Sequence, residues 1–98
     1  MKTESGKIEG DYRVTGPFQL NGMATGNVTV EGGGVFHLNG TVVGTLTVEA
    51  GGAAIVRGTV GGNVVNDGGS VEIFGVVRGS VIGTATIDVN AVLGSLED

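Results

Sequence analysis

The chain has no cysteine, no tryptophan, one proline and one histidine among its 98 residues. Without cysteine there is no disulfide framework and no thiolate chemistry. His37 stands alone, so a zinc site would lack its partner ligands. Ser5, Ser70, Ser80 and Ser95 have no His-plus-acid constellation to make any of them a nucleophile. Basic residues are also scarce, 5 against 10 acidic, for a net charge of −5. Lys2, Lys7, Arg13, Arg57 and Arg78 are scattered, which opposes non-specific binding to nucleic acid or to an anionic membrane. No apolar run approaches membrane-spanning length. The polar stretch from Met1 to Gly6 carries no apolar signal-peptide region. The expectation is a cytoplasmic protein with no nucleic-acid partner, no membrane insertion, no cofactor and no catalytic or metal site. No window places apolar residues at helical spacing either.

What the chain has instead is glycine, 21 residues, in an ordered pattern. Gly6, Gly22, Gly40, Gly58 and Gly75 are each followed four residues later by Gly10, Gly26, Gly44, Gly62 and Gly79. The steps between pairs are 16, 18, 18 and 17 residues. Apolar residues keep the same register. Ile8, Ala24, Val42, Val60 and Val77 lie between the paired glycines. Tyr12, Val28, Leu46, Val64 and Val81 follow the second glycine by two. Leu20, Leu38, Val56, Ile73 and Val89 precede the first by two, with Ala91 in place of the last glycine. Fixed-period self-similarity of this length marks a solenoid.

Within each repeat the local period is two, as in Phe36-His37-Leu38 and Val71-Glu72-Ile73, which predicts short half-buried strands. One coil reads as three strands, typified by residues 35–39, 41–43 and 45–49. Gly40 and Gly44 stand at the bends, where a side chain would crowd the corner or forbid the backbone angle. Gly32-Gly33-Gly34, Gly51-Gly52 and Gly68-Gly69 form the return turn. The predicted fold is an all-β, right-handed parallel β-helix of five to six coils, about 17–18 residues each. Its hand follows from inward steps that differ from the six-residue recurrence of left-handed solenoids, with the right-handed preference of parallel crossovers in support. A polar tail, residues 1–5, precedes a single domain, residues 6–98.

Two inward columns follow from the register. One is Phe18, Phe36, Ala54, Val71, Ile87; the other is Val14, Val30, Val48, Asn66, Gly83. At Asn66 two readings stand. It faces inward and bonds the return turn at Asp67-Gly68-Gly69, or the coil twists and Asn66 faces water. A buried unpaired amide would cost roughly 1–3 kcal/mol, so the inward reading requires partners. His37 falls in an outward column with Gln19, Ile55, Glu72 and Asp88.

The clearest copies of the pattern are Val35 to Val48 and Ser70 to Val81. They resemble the repeats of bactofilins, the polymer-forming cytoskeletal proteins of bacteria, and the likeness covers residues 6 to about 96. The resemblance implies a right-handed β-helix that joins end to end into filaments without nucleotide. This chain departs from that family in having almost no flexible tail.

The functional expectation is therefore a structural, self-assembling scaffold. Its assembly ends are Ile8, Tyr12 and Val14 at one terminus and Ile87, Val89 and Leu93 at the other, where parallel edges and apolar columns lie open to another copy. Ile55, Val65, Phe74 and Ile82 are a possible lateral contact. The alternative is a small acidic binding module for a basic partner protein. Glu31, Glu49 and Asp67 stack as like charges before the return turn. Either they splay into water or a divalent cation or basic partner bridges them.

Overall fold

A computed structural model describes residues Lys2–Glu97. The chain winds into a stack of short strands. The first coil holds β1 (Lys2–Glu4), β2 (Lys7–Ile8) and β3 (Tyr12–Val14). The second holds β4 (Pro17–Leu20), β5 (Met23–Ala24) and β6 (Val28–Val30). The third holds β7 (Val35–Leu38), β8 (Thr41–Val42) and β9 (Leu46–Glu49), and the fourth β10 (Ala53–Val56), β11 (Thr59–Val60) and β12 (Val64–Asp67). In the fifth, β13 (Ser70–Ile73) is followed by β14 (Val76–Ile82), one strand that serves the second and third faces together. The last coil is β15 (Thr86–Ile87) and β16 (Val92–Glu97).

The first face is a six-stranded sheet in the order β1-β4-β7-β10-β13-β15. The second and third faces are joined through β14 into one ten-stranded sheet. The strand partners are parallel, from Lys2↔Phe18 at one end to Val76↔Val92 at the other. The architecture is the β-solenoid read from the repeat. Alternation does the local work: in β7 Phe36 and Leu38 are fully buried while Val35 and His37 are only half-buried.

The interior is a set of apolar columns. Leu20, Leu38, Val56 and Ile73 stack on the first face, Ala24, Val42, Val60 and Val77 on the second, and Val28, Leu46, Val64 and Val81 on the third. Burying one such side chain contributes about 1.5–3 kcal/mol. Phe18 and Phe36 stack with centroids 6.1 Å apart, and Tyr12 tilts onto Phe18 at 5.2 Å.

The two kinds of glycine do different work. At Gly44 a Cβ would sit 2.6 Å from the Gly26 carbonyl oxygen and press on the Asn27 side chain, so the bend needs glycine for close approach. At the return turn Gly33, Gly51 and Gly68 have φ of 85°, 82° and 99°, the left-handed region that glycine enters without penalty.

Four expectations shift. Residues 2–4 are not a tail, since β1 pairs with β4 and sets Lys2 opposite Phe18 and Glu4 opposite Leu20. Ile87 does not continue the Phe18 column: it pairs with Ile73 and so continues the Leu20 column. Val89 leaves the core altogether and is 95% exposed in a turn. Likewise Thr86, not Asp88, stands opposite Glu72. The cause is the last return turn. It omits the glycine pair, runs from Gly83 (φ 90°) straight through Thr84 into the strand, and so reaches the first face three residues sooner than the preceding return does. Two of those residues reappear at the next corner, where Asp88 accepts hydrogen bonds from the Asn90 and Ala91 amides.

Asn66 faces the return turn with its amide satisfied. Its Nδ2 donates to the Gly69 carbonyl at 2.9 Å and to the Thr84 carbonyl at 2.6 Å. Its Oδ1 accepts from the Gly69 amide at 2.7 Å. The inward reading, with partners, is the observed one, and the bond to Thr84 pins the shortened turn.

Candidate assembly surfaces

The two ends of the stack differ chemically. At the C-terminal end Ala85, Ile87, Ala91 and Leu93 are partly buried against the core, so its columns run on into the last coil. Leu93 continues the Val77 column. At the N-terminal end Ile8 and Tyr12 are half-buried on the second and third faces. The first face ends instead in exposed Lys2 and half-buried Glu4 at inward register positions. Charged side chains at those positions oppose desolvation. The signal was in the repeat, because Glu4 precedes Gly6 by the same two residues that separate Leu20 from Gly22. Val14 is 1% exposed and offers no surface to a joint, being covered within its own coil stack. Of the six expected end residues, Ile8, Tyr12, Ile87 and Leu93 sit on the core columns at the ends; Val14 and Val89 do not present apolar columns there.

The acidic column has a partner within the chain. Arg13 lies on the outer side of β3, in register with Thr29 and Thr47. Its guanidinium bonds Glu31 through Nε and reaches Glu49 through Nη2 at 3.5 Å. The basic partner that stacked carboxylates call for is thus Arg13. The hydrogen bond to Glu31 and its charge, with Glu49 adding, hold the guanidinium above its ordinary pKa. A raised base pKa stabilises the fold at every pH below the ordinary value, and that contribution is lost only as pH climbs past the folded one. Asp67 is exposed and pairs in register with Glu49. Among the described residues no group of three or more His, Cys, Asp or Glu side chains is placed to hold a metal ion. Arg13 was missed because its reach across two coils depends on side-chain length, which spacing does not encode.

Beside Arg13 a polar ladder climbs the third face. Asp11 accepts from the Asn27 amide at 2.9 Å, Asn27 from Thr45 at 2.9 Å and Asn63 from Ser80 at 2.9 Å. Each side-chain oxygen takes a backbone N–H of the next coil, which satisfies the donor at the bend. A shallow groove follows this ladder, lined by Asp11, Tyr12, Arg13, Asn27, Thr29, Thr45 and Thr47.

The expected lateral residues divide between two faces. Ile55 lies outward on the first face and Phe74 at its edge, where the Arg57 guanidinium lies 5.5 Å from the ring centroid. Val65 and Ile82 pair with each other on the third. Ile55, Val65 and Ile82 are half-buried and Phe74 is exposed. The most exposed apolar side chains within the strand stack lie elsewhere, at Met23, Val43 and Val92.

No helix among the described residues is long and apolar enough to cross a membrane. No protein-family model, curated protein or solved structure matches the chain. The class of protein rests on the fold, a β-solenoid.

Proposed function

We propose that this chain is a structural, self-assembling β-solenoid of the bactofilin kind, a scaffold whose copies stack coil on coil without nucleotide. The observation that carries the reading is the C-terminal end, where Ile87 and Leu93 continue two apolar columns yet remain only half-buried. A further coil laid on them would complete their burial and is worth about 25 cal/mol per Å² of apolar area. The charged pair Lys2 and Glu4 makes the N-terminal first face the less favourable partner. The reading assigns the chain no catalytic role or cofactor, and its cytoplasmic location, bacterial setting and cytoskeletal role belong to the same proposal.

A second reading, a small acidic binding module for a protein partner, draws on the polar groove beside Arg13. Light scattering of the pure protein across concentration separates the two. A scaffold grows into large particles, whereas a binding module stays at monomer mass. If the ends drive growth, Leu93→Lys and Ile8→Lys shorten or abolish the particles while circular dichroism stays β-rich. Val89→Lys, already in water, leaves growth unchanged. Particles that survive both end variants would overturn end-to-end stacking.

A further inference from the structure

The outer side of the second face carries a pattern that end-to-end stacking does not use. One residue past the paired positions, at the bend that ends this face, the first five coils place Glu9, Thr25, Val43, Gly61 and Arg78, and the sixth sets Gly94 over Arg78. Val43 lies in the third of the six coils and is 48% exposed, and Met23 in the adjoining column is 42% exposed. A valine that open at the bend beside a two-residue strand is surface suited to contact. The charged residues of this column are Glu9 in the first coil and Arg78 in the fifth. Glu9 has a weakly screened neighbour in Lys7 at 3.4 Å, while Arg78 takes part in no ion pair among the described residues.

Rotating this face by a half-turn about an axis parallel to its strands reverses the order of the coils. With the axis at the third coil the first five coils of the two copies overlap and the sixth of each extends past: Glu9 of one copy meets Arg78 of the other, Thr25 meets the hollow at Gly61, and Val43 meets Val43. The first five positions of the column are thus complementary to themselves, as a two-fold contact requires. The alternative rotation keeps the coil order and reverses the strands. It sets Lys7 against Glu9 but leaves the Arg78 guanidinium against Val76 with no acid.

We propose that a second copy of this chain docks on the second face with coil order reversed, Val43 at the two-fold axis and two Glu9–Arg78 ion pairs at the rim. The apolar centre excludes water while the rim charges set register and rule out misaligned pairing. Strands of two residues make a narrow face, so the contact belongs with the small, transient interfaces rather than the obligate ones. This lateral contact is independent of the coil ends and goes beyond the end-to-end reading.

Sedimentation velocity of the full chain at low salt, across concentration, tests it. In the Leu93→Lys background, which does not elongate, a monomer–dimer equilibrium is expected, and the variants that follow are made in that background. Glu9→Arg alone and Arg78→Glu alone each create two like-charge contacts and raise the dimer dissociation constant roughly tenfold or more. The two changes together restore it. Val43→Lys removes the dimer. All these side chains are exposed, and an unchanged far-ultraviolet spectrum verifies the fold. A Leu93→Lys chain that is monomeric throughout, or single charge variants that dimerise as it does, overturns the proposal. Rescue of Glu9→Arg by Lys7→Glu in place of Arg78→Glu overturns the reversed order of coils. Leu93→Lys separates the two contacts: it removes elongation but leaves the lateral dimer. If elongation persists in Val43→Lys and no dimer forms in Leu93→Lys, end-to-end stacking stands and the lateral contact falls.

Discussion

The third coil and the last are built from the same repeat, yet they end up in different physical states. In the third, Leu38, Val42 and Leu46 are fully buried, each between equivalent residues of the coils before and after. In the last, Ile87 and Leu93 occupy the same columns and are only half-buried. Between them, Val89 has left the core. The side chains are no less apolar. Burial in a solenoid belongs to the stack, because each coil supplies half of its neighbour's interior. The comparison also separates two tasks of the turn. In the middle coils a glycine-rich return sets the register, whereas at the last coil the Asn66 amide, bonded to Thr84, accompanies a return three residues shorter than the one before it.

The sharpest way to break the middle coils is to block their close approach. Gly44→Val forces a side chain onto the backbone of Gly26, which has no flexible end to yield. A loss of about 3–4 kcal/mol in urea melts is expected, at or beyond the upper end of ordinary overpacking. A variant as stable as the parent would remove Gly44 from the bend.

Truncation measures the difference between the coils directly. Leu38→Ala, in a column filled on both sides, is expected to cost about 3 kcal/mol. Ile87→Ala, half-solvated already, is expected to cost about 1 kcal/mol. These values apply to the monomer in dilute solution. Raising the concentration into the range where particles grow should narrow the gap, because stacking gives Ile87 its second neighbour. Equal costs in the dilute monomer would mean that the last coil is packed like the third.

A local effect tests the pin. Asn66→Ala leaves the Gly69 amide and the Thr84 carbonyl without their partner and is expected to cost about 1–2 kcal/mol. Hydrogen exchange should rise mainly in residues 83–94, with the third coil still protected. Uniform loss across the stack would show that Asn66 supports every coil and not the last alone.

Most of the fold was legible in residue spacing. Glycine pairs four residues apart, with apolar residues in constant phase, determined the coil, its three short strands, the three faces and the columns through the first five coils. A periodic chain with period-two alternation has few other ways to bury its apolar side. Asn66 was legible as an exception that had to find hydrogen-bond partners. The candidate site was less so. Ile8, Tyr12, Ile87 and Leu93 were found at the ends because they repeat, although Ile87 was assigned the wrong column. The slip at Ile87 depends on how one return turn closes over Asn66, and Val89 is exposed as its consequence. The pairing of Arg13 with Glu31 and Glu49 depends on a long side chain crossing two neighbouring coils. The self-complementary column centred on Val43 depends on which residues from five coils share one outer face. Periodicity determines what recurs; only the packed stack decides where a turn departs from the period and which distant side chains meet in space.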